Sequence, residues 1–217
     1  MTTETALPRL HSYYRSGAAW RVRIALALKG VEVRLVAHHL RHGEQRAPAY
    51  LALNPQGLVP ALELPGRGVL TQSIAICEWL EETCPEPPIL PGDAVERARI
   101  RAFALAIACD IHPVQNLRVL NRLRVHGLAE EEVAGWARET IADGLQACEA
   151  LVAGAAGPFL FAAVPTLAEI CLVPQLFNAR RFGVDLAPYP RLLAAEAAAA
   201  VHPAFASAAP ERQPDAE

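Results

Sequence analysis

Lysine is almost missing from this chain. Lys29 is the only one, and every other basic side chain is arginine. The arginines are scattered and the net charge is −3, so no basic face is on offer to a nucleic acid. Base composition of the gene accounts for most of this preference; the rest suits ligands bearing carboxylates, which arginine grips with two parallel bonds. Cys-x-x-Cys spacing is also missing. The five cysteines, Cys77, Cys84, Cys109, Cys148 and Cys171, are odd in number, which argues against a disulfide framework or a zinc ribbon and for reduced thiols in a cytoplasmic protein. No apolar run reaches membrane-spanning length, so no membrane partner is expected. Met1-Thr2-Thr3-Glu4 has no basic region followed by an apolar run, so no secretory signal is expected either.

What is present is a chain of 217 residues with 53% apolar content, enough for one large domain or two small ones. Leu10 to Tyr14 reads as a strand. Ser16 and Gly17 turn the chain, and Val22, Ala25, Leu26 and Lys29 recur at helical spacing up to Gly30, which suits a helix end. A polar turn at a helix N-terminus offers N–H groups and a positive dipole end to an anion. Two readings of Ser16 stand here: an ordinary N-cap, or a hydroxyl that with Arg15 holds a thiolate. Glu32 to Ala37 alternates as a strand, and Ala47 to Leu53 reads as a short helix. His38, His39 and His42 invite a metal, but no acid or thiol has ligand spacing beside them, so a polar loop is expected and no metal site.

Asn54-Pro55-Gln56-Gly57 punctuates a turn before Val59-Pro60, where a proline belongs at a strand start. A cis Val59–Pro60 bond would open the Val59 backbone to an extended peptide, although cis is the minority state. Ala61 to Leu64 and Val69 to Thr71 form a hairpin, and Ser73 is expected to cap a helix over Ile74 to Glu82. The order β-α-β-α-β-β-α resembles a thioredoxin-like domain. Cys84 to Asp93 is proline-rich and reads as a linker. Helical patterns follow over Ala94 to Cys109, Leu117 to Val125, Glu130 to Val152, Thr166 to Phe177 and Arg191 to Ala200. Thr166-Leu167-Ala168-Glu169 fits a capping box; Pro113 and Pro174 are expected to end or kink their helices. The polar tail from Pro210 to Glu217 is expected to be loosely held. The fold class is therefore α/β plus all-α, with a thioredoxin-like domain over 8–86 and a helical domain over 94–217.

Arg15-Ser16-x-x-x-Trp20-Arg21-Val22-Arg23-Ile24-Ala25-Leu26, together with Asn54 to Pro60, Gln72-Ser73, Asp110 to Pro113, Leu172 to Gln175, Asn178 to Phe182, Pro188-Tyr189-Pro190 and Gln213-Pro214-Asp215, resembles the glutathione transferase superfamily. Within it the chain is similar to the zeta class, which contains the maleylacetoacetate isomerases, over roughly Leu10 to Asp215. Two departures stand out. Many zeta members carry Ser-Ser-Cys after the arginine; here the run is Ser16-Gly17-Ala18, so chemistry needing a protein thiol there is excluded. Ala162-Ala163 replaces a Gly-Asp pair before the capping box.

The resemblance implies a glutathione-dependent cis-trans isomerase acting on a small dicarboxylate, with Ser16 as the glutathione-activating hydroxyl and Arg15 catalytic or carboxylate-binding. It assigns the γ-glutamyl carboxylate to Gln72 and Ser73, the cysteinyl backbone to Val59 and the glycyl end to Gln45. His112 and Asn116 join the glutathione site from the second domain, and Arg118 and Arg181 take substrate carboxylates, Arg180 being a neighbour. For each arginine a solvated surface role is the alternative; for His112 it is a structural helix end. Maleylpyruvate isomerisation, glutathione conjugation and a non-catalytic binding role remain as rivals. A homodimer is expected by analogy.

Overall fold

The structure, a computed structural model, describes residues 6–217; the Met1 to Glu4 stretch read above for a secretory signal lies outside them. Contacts divide the chain into two units, one of Met1–Pro87 with Pro203–Glu217 and one of Pro88–His202.

The first unit runs β1 (Arg9–Ser12), α1 (Gly17–Leu28), β2 (Arg34–Ala37), α2 (Pro48–Leu53), β3 (Ala61–Leu64), β4 (Gly68–Thr71) and α3 (Ser73–Thr83). The four strands form one sheet in the order β2-β1-β3-β4. β1 and β2 are parallel, with Leu10 opposite Leu35, while β3 runs antiparallel to β1 and β4. This is the arrangement the sequence order anticipates; β1 and β2 are shorter than their patterns by one and two residues, β3 matches its pattern and β4 starts one residue earlier, at Gly68. α1 departs from the expected single apolar face: Ala19 to Leu26 are all buried, Arg21 and Arg23 included. A helix buried on every side must satisfy its charges internally. Gly30, at φ 64°, closes it in the left-handed conformation expected of a residue just past a helix.

Lys29 does not point to solvent from the last turn. Its Nζ donates to Glu81 Oε2 of α3 at 2.6 Å, to Pro87 O at 2.7 Å and to Pro85 O at 3.2 Å. The sole lysine is thus a buried tie from α1 to α3 and to the start of the proline-rich segment.

Two further sequence readings change in this unit. A ninth helix, α9 (Pro203–Ala208), packs on α1. The tail beyond it is held: Pro210 is buried, and the buried Gln213 donates to Ser207 O and Ala209 O at 3.1 and 2.9 Å. The sequence groups 94–217 as one domain, but Pro203–Glu217 packs with the thioredoxin-like unit, because α9 lies against α1 with Ala204, Phe205 and Ala208 buried.

The second unit comprises α4 (Ala94–Leu105), α5 (Leu117–Val125), α6 (Glu130–Leu151), α7 (Leu167–Arg181) and α8 (Pro190–Ala200), with a π-helical turn, Ala106–Ile111, continuing α4. α7 is its centre, with every residue from Leu167 to Leu176 buried. Pro174 does not end α7, which continues to Arg181; packing on all sides outweighs the one missing N–H. The capping box at Thr166 is formed. Glu169 is fully buried and accepts from Thr166 N at 2.7 Å, Thr166 Oγ1 at 2.8 Å and Leu160 N at 2.7 Å. Burial pushes its carboxyl up while these donors pull it down. The same carboxylate holds the Leu160 backbone, two residues before Ala162-Ala163. All five cysteines are free, with Cys77, Cys148 and Cys171 buried; burial pushes the Cys148 thiol up to about 12.

Lys29 and Glu81 form an ion pair with side chains 0% and 7% exposed. We expect Glu81→Leu to cost about 3–5 kcal/mol by stranding the ammonium, and addition of Lys29→Met to recover part of that loss. Urea denaturation of the two single variants and the double variant checks this; strictly additive losses would show the pair is not coupled.

Candidate active site

The turn between β1 and α1 is built around Ser16. Its backbone is extended (φ −71°, ψ 112°) and its Oγ accepts the Ala19 N–H at 3.2 Å. Its N–H returns to Tyr13 O at 2.9 Å, and its carbonyl accepts from Trp20 N at 2.8 Å. Ser16 is therefore an N-cap, as the plain reading has it. The cap uses only the hydroxyl's oxygen, so the O–H proton is left to donate, and the two readings of Ser16 hold together. Gly17 is the first helical residue rather than part of the turn. Arg15 lies half-buried beside Ser16.

Arg23 fixes this turn from beneath, a role the sequence reading does not assign. Its Nη1 donates to Ser12 Oγ at 3.1 Å and Tyr13 O at 3.4 Å, its Nη2 to Tyr14 O at 2.9 Å, and its Nε to Ala208 O at 3.1 Å. Burial lowers its pKa to about 10, against the pull of Asp215. The available signal was an arginine inside an apolar helical run, which demands several acceptors. Above it, the Tyr13 and Tyr14 rings pack in one cluster with Tyr50, Val59 and Ala61, so the Ser16 turn and Val59 share a floor.

The Val59–Pro60 peptide is cis and Val59 is buried. The chain entering it is pinned by two donors on Leu58 O, Tyr50 Oη at 2.6 Å and Asn54 Nδ2 at 2.8 Å. Burial pushes the Tyr50 phenol up to about 12. Gln72 is the one described residue other than glycine with positive φ, at 69°. Such a conformation costs about 1–3 kcal/mol and collects at functional sites. Its Nε2 donates to Gln56 Oε1 at 2.9 Å. Ser73 is not the cap of α3, as the sequence suggested. It is the first helical residue, it is buried, and its Oγ accepts from Arg21 Nη1 at 3.4 Å; Gln72 holds the cap position with no side-chain capping bond. The strained Gln72 backbone displaces the helix start by one residue. The first N–H groups of α3 thus lack a side-chain cap, the state in which a helix end receives a carboxylate. Gln45 is half-buried, with Nε2 directed to Leu40 O at 3.4 Å and Oε1 buried without a partner. An unspent hydroxyl proton, an uncapped helix end and an orphaned amide oxygen fit a peptide with a thiol and a terminal carboxylate.

The remaining predicted residues belong to the second unit. His112 follows the π-helical turn, with its N–H on Ile107 O at 2.9 Å, and Pro113 ends the helix there as expected. Asn116 caps α5: its Oδ1 accepts from Arg118 N at 3.2 Å, so that oxygen serves structure. Arg118 is exposed in the first turn of α5. Arg181 ends α7, exposed, with its guanidinium 4.7 Å from the centre of the Phe182 ring. Phe182 packs against the cluster containing Leu120 of α5, which brings together the elements that carry Arg118 and Arg181. Arg180 forms a two-pronged pair with Glu196 at 2.6 and 2.5 Å, the surface role given as its alternative.

The four histidines of the first unit make contacts with one another and with the tail. His38 Nε2 lies 2.8 Å from His11 Nδ1, His39 pairs with Glu217 at 2.6 Å, and His42 stacks on His39. Among the described residues no three of His, Cys, Asp and Glu gather as a metal ion requires.

The glutathione S-transferase N-terminal domain profile matches residues 15–83. A maleylacetoacetate isomerase of Pseudomonas aeruginosa is 49% identical over 209 residues, covering 95% of this chain and 98% of that protein. A solved bacterial maleylpyruvate isomerase, described as a zeta-class glutathione transferase, superposes with a TM-score of 0.93 at 48% identity, covering 96% of this chain and all of that one. The maleylacetoacetate isomerase of Anaeromyxobacter dehalogenans, solved with dicarboxyethyl glutathione and citrate in its active site, superposes with a TM-score of 0.88 at 48% identity, covering 97% and 98% of the two chains.

His11 and His38 supply a pH test. Burial pushes both rings below the usual 6.5; Glu63 opposes this at His11, and His11 adds to it at His38. Protonation therefore favours the unfolded chain. Stability from this pair is full above about pH 6.5 and is lost as the pH falls through the lowered folded values. We expect the urea midpoint to drop between about pH 7.5 and pH 5. His38→Gln, whose amide nitrogen replaces Nε2 without titrating, should shrink that drop; an unchanged profile would remove the pair as its cause.

Proposed function

The chain belongs to the zeta class of the glutathione transferases, and from that premise we propose that it converts maleylacetoacetate to its trans isomer, fumarylacetoacetate, with glutathione as a recycled catalyst. The observation that carries the reading is the Ser16 hydroxyl, its proton unspent, at the N-terminus of α1. Bound glutathione supplies a thiolate, whose reversible addition makes the substrate's double bond temporarily single and free to rotate. Ala18 stands where many zeta-class members carry cysteine, so the chain itself offers no thiol in that turn.

The protein's task is to keep a sulfur negative near neutral pH. Lowering a thiol's pKa by two requires about 2.7 kcal/mol. A hydrogen bond from Ser16 to an anion contributes about 1.5–3 kcal/mol, and the end of α1 adds about 0.3–1 kcal/mol. Together these suffice, which leaves Arg15 to stabilise negative charge developing on the substrate's oxygen or to hold a carboxylate. The α3 end at Gln72 and Ser73 receives the γ-glutamyl carboxylate, Val59 pairs with the cysteinyl backbone, and Gln45 lies toward the glycyl end. His112 and Asn116 contribute glutathione contacts, Asn116 through the amide nitrogen that capping leaves over. Arg118 and Arg181 take substrate carboxylates; Arg180, committed to Glu196, does not.

The two-carboxylate fragment on glutathione in the Anaeromyxobacter relative supports addition to an alkene diacid. The near-equal identity to isomerases of both names keeps maleylpyruvate as the second substrate, and product formation from each acid separates them. With the first substrate the enzyme serves tyrosine and phenylalanine breakdown, as a cytoplasmic homodimer.

A spectroscopic assay of cis-to-trans conversion with and without glutathione tests the reading. We expect conversion only with glutathione, none of it consumed; net consumption would mark a conjugating transferase instead. Ser16→Ala should cut turnover at neutral pH at least about tenfold, with partial rescue as the pH rises. Arg181→Ala should raise KM for dicarboxylates more than for uncharged electrophiles, and equal effects would reassign it to structure.

A further inference from the structure

The motif Gln213-Pro214-Asp215 folds back onto the turn that carries Ser16. We propose that Asp215 is a positioning residue for the reaction: its carboxylate fixes the Tyr14 peptide and thereby the placement of the Ser16 hydroxyl at the start of α1.

Tyr14 N donates to Asp215 Oδ2 at 2.9 Å, across 201 residues of sequence. Tyr14 O accepts from Arg23 Nη2, also at 2.9 Å. The two backbone polar groups of Tyr14 are therefore held by opposite charges, one from the tail and one from α1. One residue back, Tyr13 O accepts the N–H of Ser16 and Arg23 Nη1. The turn thus cannot shift at Tyr14 without moving the acceptor that holds Ser16. Charge-assisted bonds of this kind are about twice as strong as neutral ones.

The tail that delivers Asp215 is itself anchored. Gln213 is buried and bonded to Ser207 O and Ala209 O, and Arg23 Nε holds Ala208 O. Arg23 thus grips both the turn and the segment leading to Asp215, and the Asp215 charge supports the buried guanidinium in return. A catalytic donor works best when its direction is set before the ligand arrives, and this clamp sets it in the free protein.

The inference rests on the reading of Ser16 as the thiolate's partner, and two readouts separate their fates. The first is backbone amide exchange over residues 14–19 of the protein without glutathione. The second is the pH dependence of the ultraviolet thiolate absorbance of bound glutathione, followed with kcat and KM. Asp215→Ala should speed exchange at Tyr14 at least about tenfold and raise the bound thiol's pKa by about one. Its kcat should fall at neutral pH and recover at higher pH. Asp215→Asn keeps an acceptor oxygen without the charge; it should fall between the two and carries the test should Asp215→Ala not fold. Glu211→Ala, on the exposed side of the tail, should match the wild type in every readout. Wild-type exchange and thiol pKa in both Asp215 variants overturn the proposal, as does a loss of stability that moves neither. If the wild type binds glutathione without forming thiolate, the reading of Ser16 falls, while exchange still decides whether Asp215 holds the turn.

Discussion

A buried guanidinium needs acceptors on every side, and Arg23 finds them in three backbone carbonyls and a serine hydroxyl. Four of its contacts go to Ser12, Tyr13, Tyr14 and Ala208, which are the end of the first strand, the turn before Ser16 and the end of the last helix. Each lies where the chain leaves regular structure. One cation therefore does what three separate caps would otherwise do. The position of the Ser16 hydroxyl is a by-product of that arrangement, since the peptide before it has no freedom left.

The same device recurs. Lys29 gathers Glu81 and two proline carbonyls at the far end of α1. In the second unit Glu169 gathers two N–H groups and a hydroxyl at the start of α7. In each case a buried charge is worth keeping because its partners include backbone groups that it helps to satisfy. By contrast, Arg180 with Glu196 is exposed and adds little to stability.

These distinctions explain what could be read from the chain alone. Element order was legible because period and punctuation are local: the alternation through β2, the turn at Asn54 to Gly57 and the Thr166–Glu169 box each declare themselves within a few residues. Ser16 was legible because a polar residue before an apolar helix has few other uses. Lys29 and Asp215 are not, since their partners lie 52 and 201 residues away and nothing near them signals a pairing; the apolar run around Arg23 says that it needs acceptors but not which ones. The reading of Ser73 as the cap of α3 fails for a related reason. No residue type announces a left-handed glutamine, so the serine beside it looked like the better cap. The tail looked loose because its composition is polar, yet its anchors are backbone carbonyls that composition cannot show.

The return of α9 to the thioredoxin-like unit bears on how the protein is made. A ribosome releases β1 to α3 first, but the surface of α1 that α9 covers stays bare until everything from Pro88 to His202 has been synthesised. The N-terminal half therefore waits, incomplete, for the last residues to emerge. The helices from Pro88 to His202 thus stand in the sequence as an insertion between two parts of one unit.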